Sequence, residues 1–395
     1  MSVLERLTVT ADPASVTAAL PVYRDFLDGR RSLLPTGDDA AGDQLAALMG
    51  AGDATRPVAP GTLIACTSGS TGTPKGALLR TDGVRAAICA SASFIAQRTG
   101  HRPGPWLLTL PPHHIAGTMV ILRSLDAGAD PAVLSAAPFT AHAFAAATQQ
   151  LASAHPDAPL YTSLVPAQLA RLLGDADGEQ ALARYAAVLI GGGPTPPAAV
   201  ARCREVGAVA LLTYGSSETA GGVLYNGEPL PGYTVTLDDG RVELSGPSVA
   251  EGYRMTDTLD PAVSADAFPR PGTFRTSDLG EIHGGVLTVL GRSDGAVNSG
   301  GLKILPEQVE AALASVGVTA CAVGVPDSHW GEIVAVLVED ATLAPGTDVT
   351  ADVRARLGTG VARHLVPKLA LSTDALPLTG PGKLDRMRVR SMLAG

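Results

Sequence analysis

The chain reads as an α/β protein with a large N-terminal domain and a small mobile α+β C-terminal domain. The large domain is expected to hold a doubly wound, mostly parallel sheet and a β-rich subdomain. Three observations predict this. From residue 60 to about 215, short apolar runs alternate with helical patterns; from about 222 to 292 the texture changes to short strands with turn signals; after Arg292, helix and strand patterns resume. Strands alternating with helices mark βαβ units and hence a parallel sheet. The expected domains are residues 1–293, with the β-rich part at 222–292, and residues 294–395.

Taken in order, "TLIAC" reads as a buried strand, and "GALLRTDGVRAAICASASFIAQR" reads as a helical stretch. Between them lies "TSGSTGTPKG", Thr67 to Gly76. The strands of the alternating region are "PWLLTL", "PAVLS", "LYTSLV", "YAAVLI" and "AVALLTY". Its helices are "GTMVILRSL", "AHAFAAATQQLAS", "PAQLARLL" and "PPAAVARCREVG". The β-rich part is punctuated by "DDG" at 238–240, "SGP" at 245–247 and "HGG" at 283–285. The C-terminal region reads as the helix "PEQVEAALASVG", the strands "ACAVGVP" and "EIVAVLVED", and the helix "TADVRARLGTGVARHL". It closes on the loop "LPLTGPGK" and a short basic tail. No internal repeat is visible.

Composition narrows the function classes. A net charge of −9, from 29 basic and 38 acidic residues, disfavours nucleic acid or an anionic membrane as the main partner. The first twenty residues lack the basic start and apolar core of a signal peptide, and no apolar run has the length to span a bilayer. Cys66, Cys89, Cys203 and Cys321 show no C-x-x-C spacing, so neither a zinc site nor a disulfide framework is indicated, and a reducing cytoplasm is expected. Only four of the 29 basic residues are lysines: Lys75, Lys303, Lys368 and Lys383. An ammonium and a guanidinium are not interchangeable at a tight anion site, so these four are enriched in positions that require lysine.

Five clusters carry chemistry. In "TSGSTGTPKG", glycines let backbone N–H groups converge, hydroxyls add donors and Lys75 neutralises charge, which together suit a phosphate. The Walker A pattern fails here, because Pro74 stands where its second glycine belongs and Gly76 where its Ser or Thr belongs. The second cluster, "LIGGGPTPP", follows a strand, where open α/β sheets bind ligands. The third, "TYGSSETAGG", offers the flat ring of Tyr214, the hydroxyls of Ser216, Ser217 and Thr219, and Glu218 as a hard oxygen ligand for Mg²⁺. In the fourth, Asp278 can accept from ribose hydroxyls and Arg292 can donate to ribose or phosphate, with Asp294 at a Gly/Ser/Asp-rich joint. The fifth, "LPLTGPGKLDR", presents Lys383 on a braced loop.

In this order and spacing, the clusters resemble the adenylate-forming superfamily of acyl-CoA synthetases, luciferases and peptide-synthetase adenylation domains, over roughly residues 60–390. "LLTLPPHHIAGTMVILRSL", "TSLVPAQLARLL" and "TYGSSETAGGVLYNGEPLPGY" further resemble the o-succinylbenzoate–CoA ligases of menaquinone biosynthesis, especially the short actinobacterial kind. Those ligases share the late start of the phosphate loop, which leaves little room for the usual N-terminal subdomain. The resemblance implies an AMP-forming acid–CoA ligase that uses ATP, Mg²⁺ and CoA, without membrane insertion, and leaves a homodimer open.

By the same resemblance, Thr67, Ser68, Gly69, Ser70, Thr71, Gly72 and Lys75 would lie over the β- and γ-phosphates. The triplet 191–193, with Gly192 and Gly193, would frame adenine together with Tyr214, while Gly215 and Ser216 would adjoin the nucleotide. Thr219 would touch the α-phosphate, Glu218 would hold Mg²⁺, and Asp278 and Arg292 would bind ribose. Asp294 would be the hinge, with an ordinary linker turn as the alternative, and Lys383 the lysine of adenylation. His114, Ser163, Gly192, Gly215 and Ser217 would line the acid's pocket, and His113 is expected to be a packed or capping histidine. For a second carboxylate Arg123 is a candidate, although a solvent-facing arginine on a helix is the stronger expectation. Another acyl- or aryl-CoA ligase, an adenylation enzyme loading a carrier protein, and a non-catalytic nucleotide-binding module are the rival readings.

Overall fold

The computed structural model describes residues 1–67, 74–134, 138–378 and 384–394. They form two compact units, one of residues 1–236 with 243–276 and the other of residues 237–242 with 277–395. Among the described residues no helix is long and apolar enough to cross a membrane.

In the first unit, the opening segment forms β1 (Leu4–Thr8), α1 (Pro13–Leu27), β2 (Ser32–Thr36) and α2 (Ala40–Met49). Both helix starts are written locally: the Asp12 carboxylate accepts from the Ser15 N–H and the Asp39 carboxylate from the Gly42 N–H. β1 and β2 are parallel, β3 (Thr62–Thr67) continues the parallel run, and β4 (Lys75–Arg80) returns antiparallel to β3.

The strand β4 corrects the reading of residues 76–80 as the start of a helix; α3 (Thr81–Thr99) begins only afterwards. The reason is tertiary. β4 pairs with β3 from Thr62↔Arg80 to Thr67↔Lys75. On its other side the Leu78 N–H donates to the Gly252 carbonyl and the Arg254 N–H to the Gly76 carbonyl. A helix here would forfeit both ladders. The segment that follows the glycine-rich stretch is therefore a strand antiparallel to β3 and not the start of a helix.

There follow β5 (Trp106–Leu108), α4 (Ile115–Asp126), β6 (Ala132–Val133), α5 (Ala141–Ala154), β7 (Leu160–Leu164), α6 (Pro166–Leu173), α7 (Ala176–Leu182), β8 (Tyr185–Ile190), α8 (Pro197–Glu205) and β9 (Ala210–Ser216). With β10 (Gly221–Tyr225) and β11 (Glu228–Pro229) they make a seven-stranded sheet in the order β11–β10–β9–β8–β7–β5–β6. β5 to β9 are parallel, as the alternation predicts, while β10 and β11 turn back antiparallel. α5, α6 and α7 bury Phe144, Leu151, Leu169, Leu172 and Leu182 around the sheet residue Tyr185. Its buried hydroxyl is satisfied by Thr148 at 2.7 Å. The register Leu164↔Ile190↔Leu212 puts the carboxyl ends of β7 and β8 level, with β9 running on past them to Ser216 at the same edge of the sheet.

Beyond β12 (Thr234–Asp238), β13 (Arg241–Ser245) and α9 (Pro261–Ala267), the chain enters β14 (Thr273–His283). In the second unit β14 pairs with β15 (Val286–Arg292), and β15 packs on α10 (Pro306–Ser315). That packing is why β15 groups with the C-terminal residues, so the expected boundary at 293/294 lies inside this unit. β16 (Val297–Ser299) and β17 (Leu302–Ile304) form a tight hairpin whose turn residues, Gly300 and Gly301, have φ of 58° and 84°. β18 (Ala320–Asp327), β19 (Gly331–Glu339) and β20 (Leu369–Thr373) complete the sheet, with α11 (Thr350–Leu357) and α12 (Arg386–Leu393) packed on it. α11 is shorter than the sequence pattern suggests, because Gly358 takes a φ of 57° and ends it.

One close approach in the first unit positions the "PPHH" turn. The Thr118 hydroxyl donates to the Pro112 carbonyl at 2.8 Å, and a Cβ on Gly117 would lie 2.7 Å from the Pro111 carbonyl carbon. Gly117→Ala must therefore displace the turn that carries His113 and His114. We expect a loss of about 1–3 kcal/mol by urea denaturation; unchanged stability would show that the turn does not rest on α4.

Candidate active site

The shared carboxyl edge of β7, β8 and β9 gathers most of the expected residues of the first unit. Ser163 lies near the end of β7 and is buried, with its carbonyl accepting from the Thr109 hydroxyl at 2.5 Å. Gly191 leaves β8, where a Cβ would sit 2.5 Å from the Thr213 hydroxyl of β9; Gly192 follows with a φ of 85°. Tyr214, Gly215 and Ser216 end β9. His114 precedes the first turn of α4, which follows β5 in the same sheet.

The loop after β9 is a short 3-10 turn, Ser217–Thr219, built by reciprocal bonds. The Ser216 hydroxyl accepts from the Glu218 N–H at 3.2 Å, and the Thr219 hydroxyl accepts from the Ser216 N–H at 3.0 Å. The Thr219 hydroxyl then donates to the Gly221 carbonyl at 2.8 Å. Thr219, expected beside the α-phosphate, is fully buried with its hydroxyl engaged inside the loop.

Glu218 is only 6% exposed, and burying a carboxylate demands partners. The Tyr253 hydroxyl donates to its Oε1 at 2.6 Å, and its main-chain carbonyl accepts from the Ala250 N–H at 2.8 Å. Burial and the adjoining carboxylate hold the Tyr253 phenol far above its ordinary value, so it acts as a neutral donor. The ammonium of Lys75 lies 5.1 Å from the centroid of the same ring. Thr67, paired with Lys75 across β3 and β4, has a buried hydroxyl without a hydrogen-bond partner among the described residues. An orphan hydroxyl, an ammonium and a tethered carboxylate thus converge where β3 and β4 meet the 3-10 turn. Just before this point burial pushes the Cys66 thiol up to about 12, which keeps it protonated and unreactive.

Among the described residues there is no group of three or more His, Cys, Asp and Glu that could hold a metal ion. A lone buried carboxylate nevertheless suits Mg²⁺, which is commonly bound through one or two carboxylates together with substrate phosphates and water. Ser68, Gly69, Ser70, Thr71 and Gly72 lie outside the described residues, as does Lys383.

In the second unit Asp278 faces Arg292 across β14 and β15, with Nη1 and Oδ1 3.7 Å apart. Arg292 forms a two-pronged pair with Asp294, Nε to Oδ1 at 2.9 Å and Nη2 to Oδ2 at 2.5 Å. The structure therefore joins the expected ribose residues to the expected hinge residue. The chain flanking Lys383 is held on both sides: Leu378 bridges Leu384, and the Asp385 N–H donates to the Pro377 carbonyl at 2.9 Å. Arg386 then clamps to Glu310 at 2.5 and 3.0 Å and to Glu307 at 3.1 Å.

Two residues lie outside the expectation. Tyr253 was not singled out, because nothing local in "AEGYRM" marks it and its partner is 35 residues away. Arg123 does not face solvent: it is 8% exposed, sits 5.4 Å from the Trp106 ring centroid, and its buried Nε has no hydrogen-bond partner among the described residues. It lines a small cavity with Ser91, Ile95, Trp106, Asp126 and Tyr161. α4 turned this arginine inward because seven of its neighbours from Gly117 to Ser124 are buried as well.

Comparison with known proteins gives the class of this chain. Residues 22–254 match the AMP-binding enzyme family and residues 308–383 the AMP-binding enzyme C-terminal domain, so the chain belongs to the AMP-binding enzymes. A Mycobacterium tuberculosis protein named "Probable 2-succinylbenzoate--CoA ligase" is 41% identical over 342 residues, 84% of this chain and 85% of that protein. A feruloyl-CoA synthase from an Amycolatopsis species is 29% identical, over 96% of this chain and 77% of that protein. Among solved structures, an arginine-to-lysine variant of E. coli MenE with bound OSB-AMS superposes with a TM-score of 0.73 at 25% identity, covering 99% of this chain and 88% of that one.

His113 gives this site a pH signature. Its ring lies 4.5 Å from that of His114, and burial holds it below its ordinary value of 6.5. The unfolded chain then binds this proton more readily than the folded one, so stability is present above pH 6.5 and is lost as pH falls through the lower folded value. His113→Gln should flatten that part of the stability profile, measured by denaturation between about pH 5 and 7.5. An equally steep acid limb in the variant would assign it to other groups.

Proposed function

We propose that this chain is a 2-succinylbenzoate–CoA ligase acting in menaquinone biosynthesis in the cytoplasm. It joins o-succinylbenzoate to CoA with ATP, releasing AMP and pyrophosphate, through an acyl-adenylate. The convergence of Lys75, Thr67 and the Tyr253-tethered Glu218 supports the reaction class. Similarity to the mycobacterial relative supports the acid.

In the first step a substrate carboxylate attacks the α-phosphorus of ATP. Two anions must meet, so the chain's task is positioning and charge neutralisation. Lys75 and the loop from Thr67 to Gly72 hold the β- and γ-phosphates. Gly192, Gly193, Tyr214, Gly215 and Ser216 border the base, with Thr219 fixing their loop. Glu218 would be the protein ligand of Mg²⁺, which when bound supplies charge neutralisation at the phosphates. Asp278 and Arg292 take the ribose, and the ammonium of Lys383 supports adenylation. His114, Ser163, Gly192, Gly215 and Ser217 line the acid. In the second step the C-terminal domain turns about Asp294, and the hairpin "NSGGLKI" borders the path of the CoA thiol.

Incubation with ATP, Mg²⁺, CoA and a panel of acids tests the reading. 2-Succinylbenzoate should be preferred; preference for a fatty, simple benzoic or hydroxycinnamic acid would reject the substrate and keep the family. Lys383→Ala should slow adenylate formation roughly 10²-fold and spare thiolation of supplied acyl-adenylate. If rapid quench finds both half-reactions slowed equally, the alternating use of the C-terminal domain is wrong.

A further inference from the structure

Tyr253 occupies a position that the expected site residues do not explain. Its backbone forms an isolated bridge to Ala77 on β4, and its ring is held edge-on by Phe268 at 5.1 Å between centroids. Fixed in this way, the ring turns its face to the Lys75 ammonium at 5.1 Å and its hydroxyl to Glu218 Oε1 at 2.6 Å. The one side chain therefore meets both charged groups of the phosphate and metal reading, the cation and the carboxylate. Without the hydroxyl, Glu218 Oε1 would be a buried charged oxygen that has lost its donor. The carboxylate would then reorient to find another.

We propose that Tyr253 is a positioning residue: its hydroxyl fixes the Glu218 carboxylate so that Oε2 is directed to the cation, and its ring holds Lys75 over the phosphates. The inference rests on Glu218 being the metal ligand. A hydrogen bond from behind orients a ligating carboxylate, and losing such an outer partner typically costs 10–100-fold in metal affinity. The two functions of the side chain are separable. Tyr253→Phe keeps the ring beneath Lys75 and removes only the hydroxyl, whereas Tyr253→Leu removes both.

The test measures binding of Mn²⁺ in the presence of ATP by electron paramagnetic resonance, alongside the Mg²⁺ dependence of turnover, for the wild type, Tyr253→Phe, Tyr253→Leu and Glu218→Gln. Tyr253→Phe should weaken Mn²⁺ binding about 10-fold. It should also raise half-saturating Mg²⁺ by a similar factor, with turnover restored by excess Mg²⁺. Tyr253→Leu should in addition raise KM for ATP. A purely structural tyrosine would instead lower turnover at every Mg²⁺ concentration and leave Mn²⁺ affinity alone. If Glu218→Gln weakens Mn²⁺ binding and Tyr253→Phe does not, the positioning role is overturned while the metal assignment stands. If neither variant changes Mn²⁺ binding, both fall. Tyr253→Phe retains the ring packing on Phe268, so the comparison holds even where Tyr253→Leu does not fold.

Discussion

A buried carboxylate at the end of a strand is the constraint around which the first unit is arranged. At 6% exposure, the Glu218 oxygens and its local backbone must find donors within the protein. The reciprocal bonds of Ser216 and Thr219 fix the turn that carries it, and Ser248 donates to the Thr219 carbonyl at 2.7 Å to hold that turn from behind. The segment 250–254 then lies along β4, which brings the Tyr253 hydroxyl to the carboxylate and its ring under Lys75. Sheet pairing, turn and charge are therefore one arrangement.

The parallel sheet provides the second requirement, a common edge. The carboxyl ends of β7, β8 and β9 place Ser163, Gly192 and Tyr214 at the same edge of the sheet, the edge where open α/β sheets bind their ligands. Small residues keep that edge approachable: a side chain at Gly191 would run into Thr213, and one at Gly117 into the turn that bears His113 and His114. α4 links the edge to the interior, with His114 at its start and Arg123 buried against Trp106 further along.

The second unit is organised by paired charges on a compact sheet. Arg292 is bound to Asp294 and lies near Asp278, while Glu307 meets Arg386 with one carboxylate oxygen and the Arg292 N–H, at 3.4 Å, with the other. The chain on the C-terminal side of Lys383 is thereby tied to α10 and, through Glu307, to the strand end that bears Arg292. These pairs tie α10, α12 and the end of β15 together within the unit.

Much of this was legible in the amino-acid order. The alternation of strands and helices depends on nearest neighbours, so it predicted the parallel sheet directly, and the glycine-rich stretches and the scarcity of lysine marked candidate residues from composition alone. Residues 76–80 could not be read correctly, because they are a strand only through ladders to β3 and to the segment 250–254, and the latter lies far along the chain. Tyr253 escaped, and Arg123 was expected to face solvent, for the same reason. A tyrosine in a turn-rich stretch and an arginine on a helix carry no local mark of their surroundings. Chain order determined which groups are present and which glycine-rich stretches follow strands. Only the tertiary packing decided that Tyr253 meets Glu218 and that Arg123 points inward, since burial and hydrogen-bond geometry arise between segments that sequence leaves far apart.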